Sequence, residues 1–141
     1  MSAGRAAAAG AAAALVWAAL EPIDRRLFRH DYSDVAMLGK LVTRTRAWPV
    51  AGLAVHAGNG ALFAVAHHLL RRRYGIRAVT LALVENTALF PLAPLIDRFH
   101  PARGTRGLAP LASRRGLAQA TVRHLVFGVV LDELAGEEAQ E

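Results

Sequence analysis

Residues 47–70 read AWPVAGLAVHAGNGALFAVAHHLL, 24 positions without a formal charge between Arg46 and Arg71. That exceeds the roughly 20 apolar residues an α-helix needs to cross the hydrocarbon core of a bilayer. Within the run, Gly52, His56 and Gly60 recur at steps of four, which places them on one helical stripe. A second segment repeats the pattern as Ala120, His124 and Gly128. An ionisable side chain at bilayer depth is costly and faces a partner, a cavity or a ligand. Two such stripes therefore predict a helical membrane protein with a histidine-centred polar interior.

Outward from this run, charged stretches delimit three further apolar segments. Residues 78–96 are interrupted only by Glu85, and Pro91 and Pro94 are expected to kink the second half. Residues 6–23 are mostly alanine behind Arg5, a composition that also suits a secretory signal peptide. Leu20, Glu21 and Pro22 make a poor cleavage site, however, so this helix is expected in the mature protein. Residues 116–132 hold Arg123 and His124 in mid-run and are the weakest of the four on hydropathy. Between the first two runs, Asp31, Tyr32, Ser33 and Asp34 offer an N-cap ahead of Val35, Met37, Leu38, Leu41 and Val42. This predicts a short amphipathic helix over about 34–45, lying at the membrane interface. The stretch from Arg98 to Arg115 is rich in Pro, Gly and Arg and reads as irregular, and the acidic tail beyond Asp132 reads as frayed.

The ends of the first and third runs match. Ile23-Asp24-Arg25 closes one and Ile96-Asp97-Arg98 the other, each followed by a basic connection and then a helix bearing the small-His-Gly stripe. The fold expected from this repeat is all-α, a single membrane domain of four transmembrane helices in two tandem hairpins. Such a repeat runs the second and fourth helices parallel, about an axis along the membrane normal. His56 and His124 each lie seven residues into their helices, so at about 1.5 Å per residue both sit roughly 10 Å from the same membrane side. The small residues Gly52, Gly60, Ala120 and Gly128 suit close helix packing. Asp24, Arg25, Asp97 and Arg98 read as anchors at the headgroup boundary.

Composition narrows the function classes. The chain has no Cys, which excludes disulfides, thiolate metal sites and thiol catalysis. Its formal net charge is +6, with 16 of the 17 basic residues being Arg, a bias in keeping with a GC-rich bacterial genome. The arginines alternate with apolar runs and form no continuous stripe with aromatics, so a bacterial inner membrane is the expected partner and nucleic acid is not. A homo-oligomer is compatible with the sequence. The 11 basic residues of the first and third connections outweigh those at the other side, which predicts both termini outside. No GxSxG, Walker loop or GxGxxG is present, and no enzymatic activity is expected.

The polar interior is expected to comprise His56, His124, Glu85, Asn86 and Arg123. A carboxylate in an apolar span must be neutralised or paired, and Arg123 is the expected counter-ion of Glu85. For the histidines, four readings stay open: axial ligands of a haem, ligands with Glu85 of a divalent metal, a proton or solute path, and interhelical hydrogen bonds alone. A soluble or peripheral helical interaction protein is the competing class.

DRRLFRHDYSDVAMLGKLVTR, VHAGNGALFAVAHH, VENTALFPLAPLIDRFHPARG and ATVRHLVFG together resemble small four-span integral membrane proteins of actinobacteria that carry HxxxG in their helices. The resemblance runs from about Glu21 to Leu134. It implies a multi-pass membrane protein and no particular activity.

Overall fold

A computed structural model describes residues 2–137; the other residues of the expected 1–141 domain lie outside the described ones. All regular elements among the described residues are helical: α1 (Ala3–Leu27), α2 (Asp34–Val42), α3 (Trp48–Tyr74), α4 (Ala78–Leu89), a 3-10 turn (Phe90–Leu92), α5 (Ala93–Phe99) and α6 (Arg114–Glu137). Ser2 caps α1 through its Oγ, which accepts from the Arg5 N–H at 3.3 Å. Pro49 opens α3 in its first turn, and Gly75 closes it at φ 68°, a left-handed conformation natural to glycine.

Three helical units, α1, α3 and residues 78–99, are long and apolar enough to cross a membrane. Pro91 and Pro94 loosen the third into a 3-10 turn and a new helical segment without ending it. Residues 114–137 form one helix of spanning length that falls short on apolar character. Helix α1 continues through Pro22 to Leu27, beyond the expected end at 23. The tail is corrected in part: residues 133–137 are helical where fraying was expected, and 138–141 lie outside the described residues.

The distribution of side chains is inverted relative to a water-soluble core. Helix α3 buries Gly52, His56, Gly60, Ala64 and His67 and exposes Val50, Leu53, Leu62 and Leu69. Helix α1 likewise buries small residues with Trp17, Glu21 and Asp24, and exposes Leu15, Val16, Leu20, Ile23 and Leu27. A protein with large aliphatic groups outside and polar groups inside is suited to lipid. The helices approach closely on their glycines. A Cβ on Gly10 would strike the Gly60 carbonyl and one on Gly60 the Gly10 carbonyl, while a Cβ on Gly128 would strike the Val79 backbone.

Helix α1 packs on α3 and α6, and α4 packs on α6, whereas α3 and α4 scarcely touch. Helix α2 ends at Val42 rather than 45 and packs on α3, with Gly39 against the Trp48 carbonyl and Gly52 against that of Val35. Its small residues Ala36 and Gly39 are buried, while Leu41 and Val42 of the expected amphipathic face stay exposed.

Carboxylates from one segment terminate the free amides of another. Glu21 of α1 accepts from the Asp34 and Val35 N–H groups at 2.8 and 3.3 Å, and Ser33, the N-cap of α2, donates its hydroxyl to the same carboxylate at 2.5 Å. Asp97 accepts from the Leu111 and Ala112 N–H groups at 2.7 and 2.8 Å. Asp132 of α6 takes the first amides of α4, Ala78 and Val79, at 2.8 and 3.3 Å and pairs with Arg77 at 3.3 Å. An N-cap oxygen contributes about 1 kcal/mol. Asp132→Ala is therefore expected to lower the stability of the detergent-solubilised protein by about that amount, measured by thermal unfolding, and a neutral result would contradict the cap.

Candidate functional site

The polar interior is organised around Arg123. Its guanidinium, 3 % exposed, donates from Nε and Nη2 to the two Asp24 oxygens at 2.6 Å each, from Nη1 to Asp34 at 2.5 Å, and from Nη2 to the Tyr32 carbonyl at 2.9 Å. Glu21 lies 3.8 Å from Nη1. Gln119, one turn earlier on α6, donates to Asp24 at 2.7 Å.

This overturns the expected Glu85–Arg123 pair. Helical side chains lean toward the N-terminus of their own helix. Helix α6 begins at the end where α1 finishes, so Arg123 leans toward Asp24 and Asp34. Helix α4 begins at the other end, and Glu85 leans away. The headgroup-anchor reading of Asp24 falls too, since its side chain is buried in the Arg123 cluster. Asp97 is likewise turned onto backbone amides of its own connection, while Arg98 stacks over Phe99 and Arg25 pairs with Asp31.

Beside the cluster lies a cavity of about 240 Å³. Its wall includes Trp17, Asp34, His56, Asn59, Phe63, Glu85, Asn86, Arg123, His124 and Phe127, contributed by α1, α2, α3, α4 and α6. The sequence-derived residues His56, His124, Glu85, Asn86 and Arg123 thus meet on one chamber. Ala120 and Gly60 also line it, so two of the small residues leave room as well as permitting packing.

Trp17 stands edge-on to both imidazoles, its ring centroid 5.1 Å from His56 and 4.9 Å from His124. An indole almost equidistant from two rings lies on the plane midway between them, and at this range it occupies the area a porphyrin ligated by both would need. The residues do not fit a haem held by His56 and His124. Among the described residues no group of three His, Asp or Glu is arranged for a metal ion, which removes the His56, His124, Glu85 metal set.

Hydrogen bonds fix the polarity of the chamber. Thr121 gives its hydroxyl proton to the Leu117 carbonyl at 2.8 Å, so it must accept from Asn86 Nδ2 at 3.0 Å, leaving Asn86 Oδ1 as a free acceptor. His124 Nδ1 lies 2.8 Å from the Ala120 carbonyl and must carry the proton, so the neutral ring presents Nε2 as an acceptor. His56 Nε2 and Trp17 Nε1 are buried with no hydrogen-bond partner. Glu85 receives no hydrogen bond or ion pair among the described residues.

A second cavity, about 400 Å³, adjoins the first at the end of the bundle formed by the two long connections. Tyr32 and Ile96 line both, so they form the partition between them. The outer cavity adds Asp97, His100 and Arg103. The connections are tied together there by Ser33 N–H to the Gly107 carbonyl and Ala109 N–H to the Asp31 carbonyl, both at 2.9 Å, and by His100 Nε2 to the Met37 carbonyl at 2.9 Å. Asp31 also accepts from the Gly107 N–H at 3.0 Å. Burial alone would raise the Asp31 pKa, but that bond and the Arg25 guanidinium outweigh it and hold the carboxyl below its usual range. Burial, reinforced by Arg123 and Arg115, pushes the His30 imidazole down. Burial and the neighbouring Asp34 push the Tyr32 phenol well up, so it is a neutral hydroxyl at the partition.

Sequence reasoning missed Trp17, Glu21 and Asp34. The first two were readable, since Trp17, Glu21 and Asp24 follow at steps of four and three on one face of α1. Asp34 was seen only as part of a helix start. Compared with known proteins, the chain matches no family model, no curated protein and no solved structure.

Proposed function

We propose that this chain is a multi-pass protein of a bacterial inner membrane, with four spans in two tandem hairpins, that holds a small polar solute or a proton inside the bundle. The observation that supports the reading is the 240 Å³ chamber, whose wall gathers His56, His124, Glu85 and Asn86 from three helices that expose aliphatic side chains outward. Helix α6 serves as the fourth span because its mid-helix charge, Arg123, is neutralised within the protein, which lowers the cost of burying it. The adjoining outer cavity offers an approach from the connection end, with Tyr32 and Ile96 as the barrier. Purely structural histidines would not require a space with unpartnered polar atoms beside them.

The cysteine-free background gives a direct test. Asn59→Cys places a thiol on the chamber wall, and Leu62→Cys places one on an outward position that is 72 % exposed. In membranes that retain the protein through carbonate extraction, small water-soluble methanethiosulfonates are expected to label position 59 and spare position 62, because they react with thiolate, which requires water. An inert position 59 would remove the chamber reading. Release of the protein by carbonate would favour the peripheral class instead.

A further inference from the structure

We infer that the chamber takes a small primary organic ammonium ion, one with a short apolar body. This rests on the solute-binding reading above and specifies the chemistry of the solute.

The argument begins with hydrogen-bond polarity. Glu85, His124 Nε2 and Asn86 Oδ1 are acceptors without donors, two of them fixed as such by the bonds their other atoms make. A ligand that satisfies them must bring hydrogen-bond donors, and an ammonium ion brings three. Charge leads to the same class. Among the described residues Arg123 is the one guanidinium or ammonium side chain on the wall, and its donors are already directed at Asp24, Asp34 and a carbonyl. Glu85 has no Arg or Lys partner among the described residues, so its charge is left to be balanced by a bound cation or a proton. An anion would face Glu85 with the Arg123 donors already taken, leaving it only neutral donors such as the Trp17 and Asn59 N–H groups, so a cation is the better match.

The apolar wall separates an organic cation from a bare metal ion or a proton. Trp17, Phe63 and Phe127 form an interlocked edge-to-face set, with Trp17–Phe127 centroids 6.1 Å apart and Phe63–Phe127 centroids 5.1 Å apart. Such rings attract a cation through their quadrupoles and also bury alkyl surface. A metal ion gains nothing from the second property, and no metal-binding group of carboxylates and imidazoles is present among the described residues. His56, 7 % exposed with Nε2 lacking a partner, adds a buried polar atom on the same wall.

The full-length Asn59→Cys protein in membranes reads the charge preference directly. After normalisation to a free thiol in solution, the aminoethyl methanethiosulfonate is expected to react at least about tenfold faster than the sulfonatoethyl reagent, and n-propylammonium chloride to slow it while sodium propionate and sodium chloride do not. Adding Glu85→Gln is expected to bring the two rates together. A second readout uses Trp48→Phe, which leaves Trp17 as the one indole. Its fluorescence should titrate saturably with n-propylammonium and respond at least about tenfold more weakly in the Glu85→Gln protein. Equal rates for the two reagents, or a preference untouched by Glu85→Gln, would overturn the ammonium assignment and leave the chamber standing. Failure of both reagents at position 59 would overturn the chamber as well. Slowing by sodium chloride equal to that by n-propylammonium would assign the site to an inorganic cation, against the inference.

Discussion

Arg123→Gln is expected to destabilise the detergent-solubilised protein by about 3–5 kcal/mol, the cost of breaking a buried ion cluster from one side. The change leaves Asp24 and Asp34 without their donor and Glu21 without its nearest cation, in a region where the guanidinium is 3 % exposed. Arg123→Lys should recover little. The fork that grips both Asp24 oxygens at 2.6 Å is planar and bidentate, and an ammonium point charge cannot reproduce it. Adding Asp24→Asn to Arg123→Gln should restore part of the loss by removing one stranded carboxylate, a coupling measurable in a double-mutant cycle. Glu85→Gln combined with Arg123→Gln should be additive. The opposite pattern, coupling at Glu85 and none at Asp24, would show that the arginine points the other way.

The second large effect is steric. Gly60→Val places a Cβ into the Gly10 carbonyl and the Ala14 methyl, so α1 and α3 must separate along the contact that holds Trp17 beside His56. Overpacking of this kind costs about 1–3 kcal/mol or more, and here rigid backbone is what must yield. Gly58 supplies the control on the same helix. An added Cβ there meets nothing within 4 Å, and Gly58→Ala should be neutral or stabilising by up to about 1 kcal/mol through helix propensity. Equal thermal stabilities for the two variants would mean that α1 and α3 do not cross at Gly10 and Gly60.

Much of the helical layout was legible because it follows from local pattern. The charge-free run 47–70 fixed α3 to within a few residues, and the steps of four in Gly52, His56 and Gly60 marked its inward face. What was not legible depended on the direction in which long side chains leave their helices. Glu85 and Arg123 lie at similar depth when counted along the chain, and counting ignores that they tilt toward opposite ends of the bundle. Asp24 and Asp97 looked like headgroup anchors because each sits near a helix end, and Asp132 was read only as the start of the tail. The partners of Asp24 and Asp132 lie in segments far away in sequence, and those of Asp97 are amides of an irregular connection, so no helical periodicity contains such information. The role of Trp17 was hidden for a related reason. It sits in an alanine-rich run that reads as a bland span, and only the packing of α1 against both α3 and α6 brings it between two histidines.

The Arg123 cluster also has a consequence for the order of synthesis. Glu21, Asp24 and Asp34 leave the ribosome about 100 residues before their cation, since Asp24 and Arg123 are separated by 99 positions. Until α6 is made and inserted, the first three helices hold buried-type carboxylates with no arginine to receive them. The N-terminal half is therefore an incomplete unit whose final assembly waits for the last helix, and the arginine acts as a latch that distinguishes a finished chain from a truncated one.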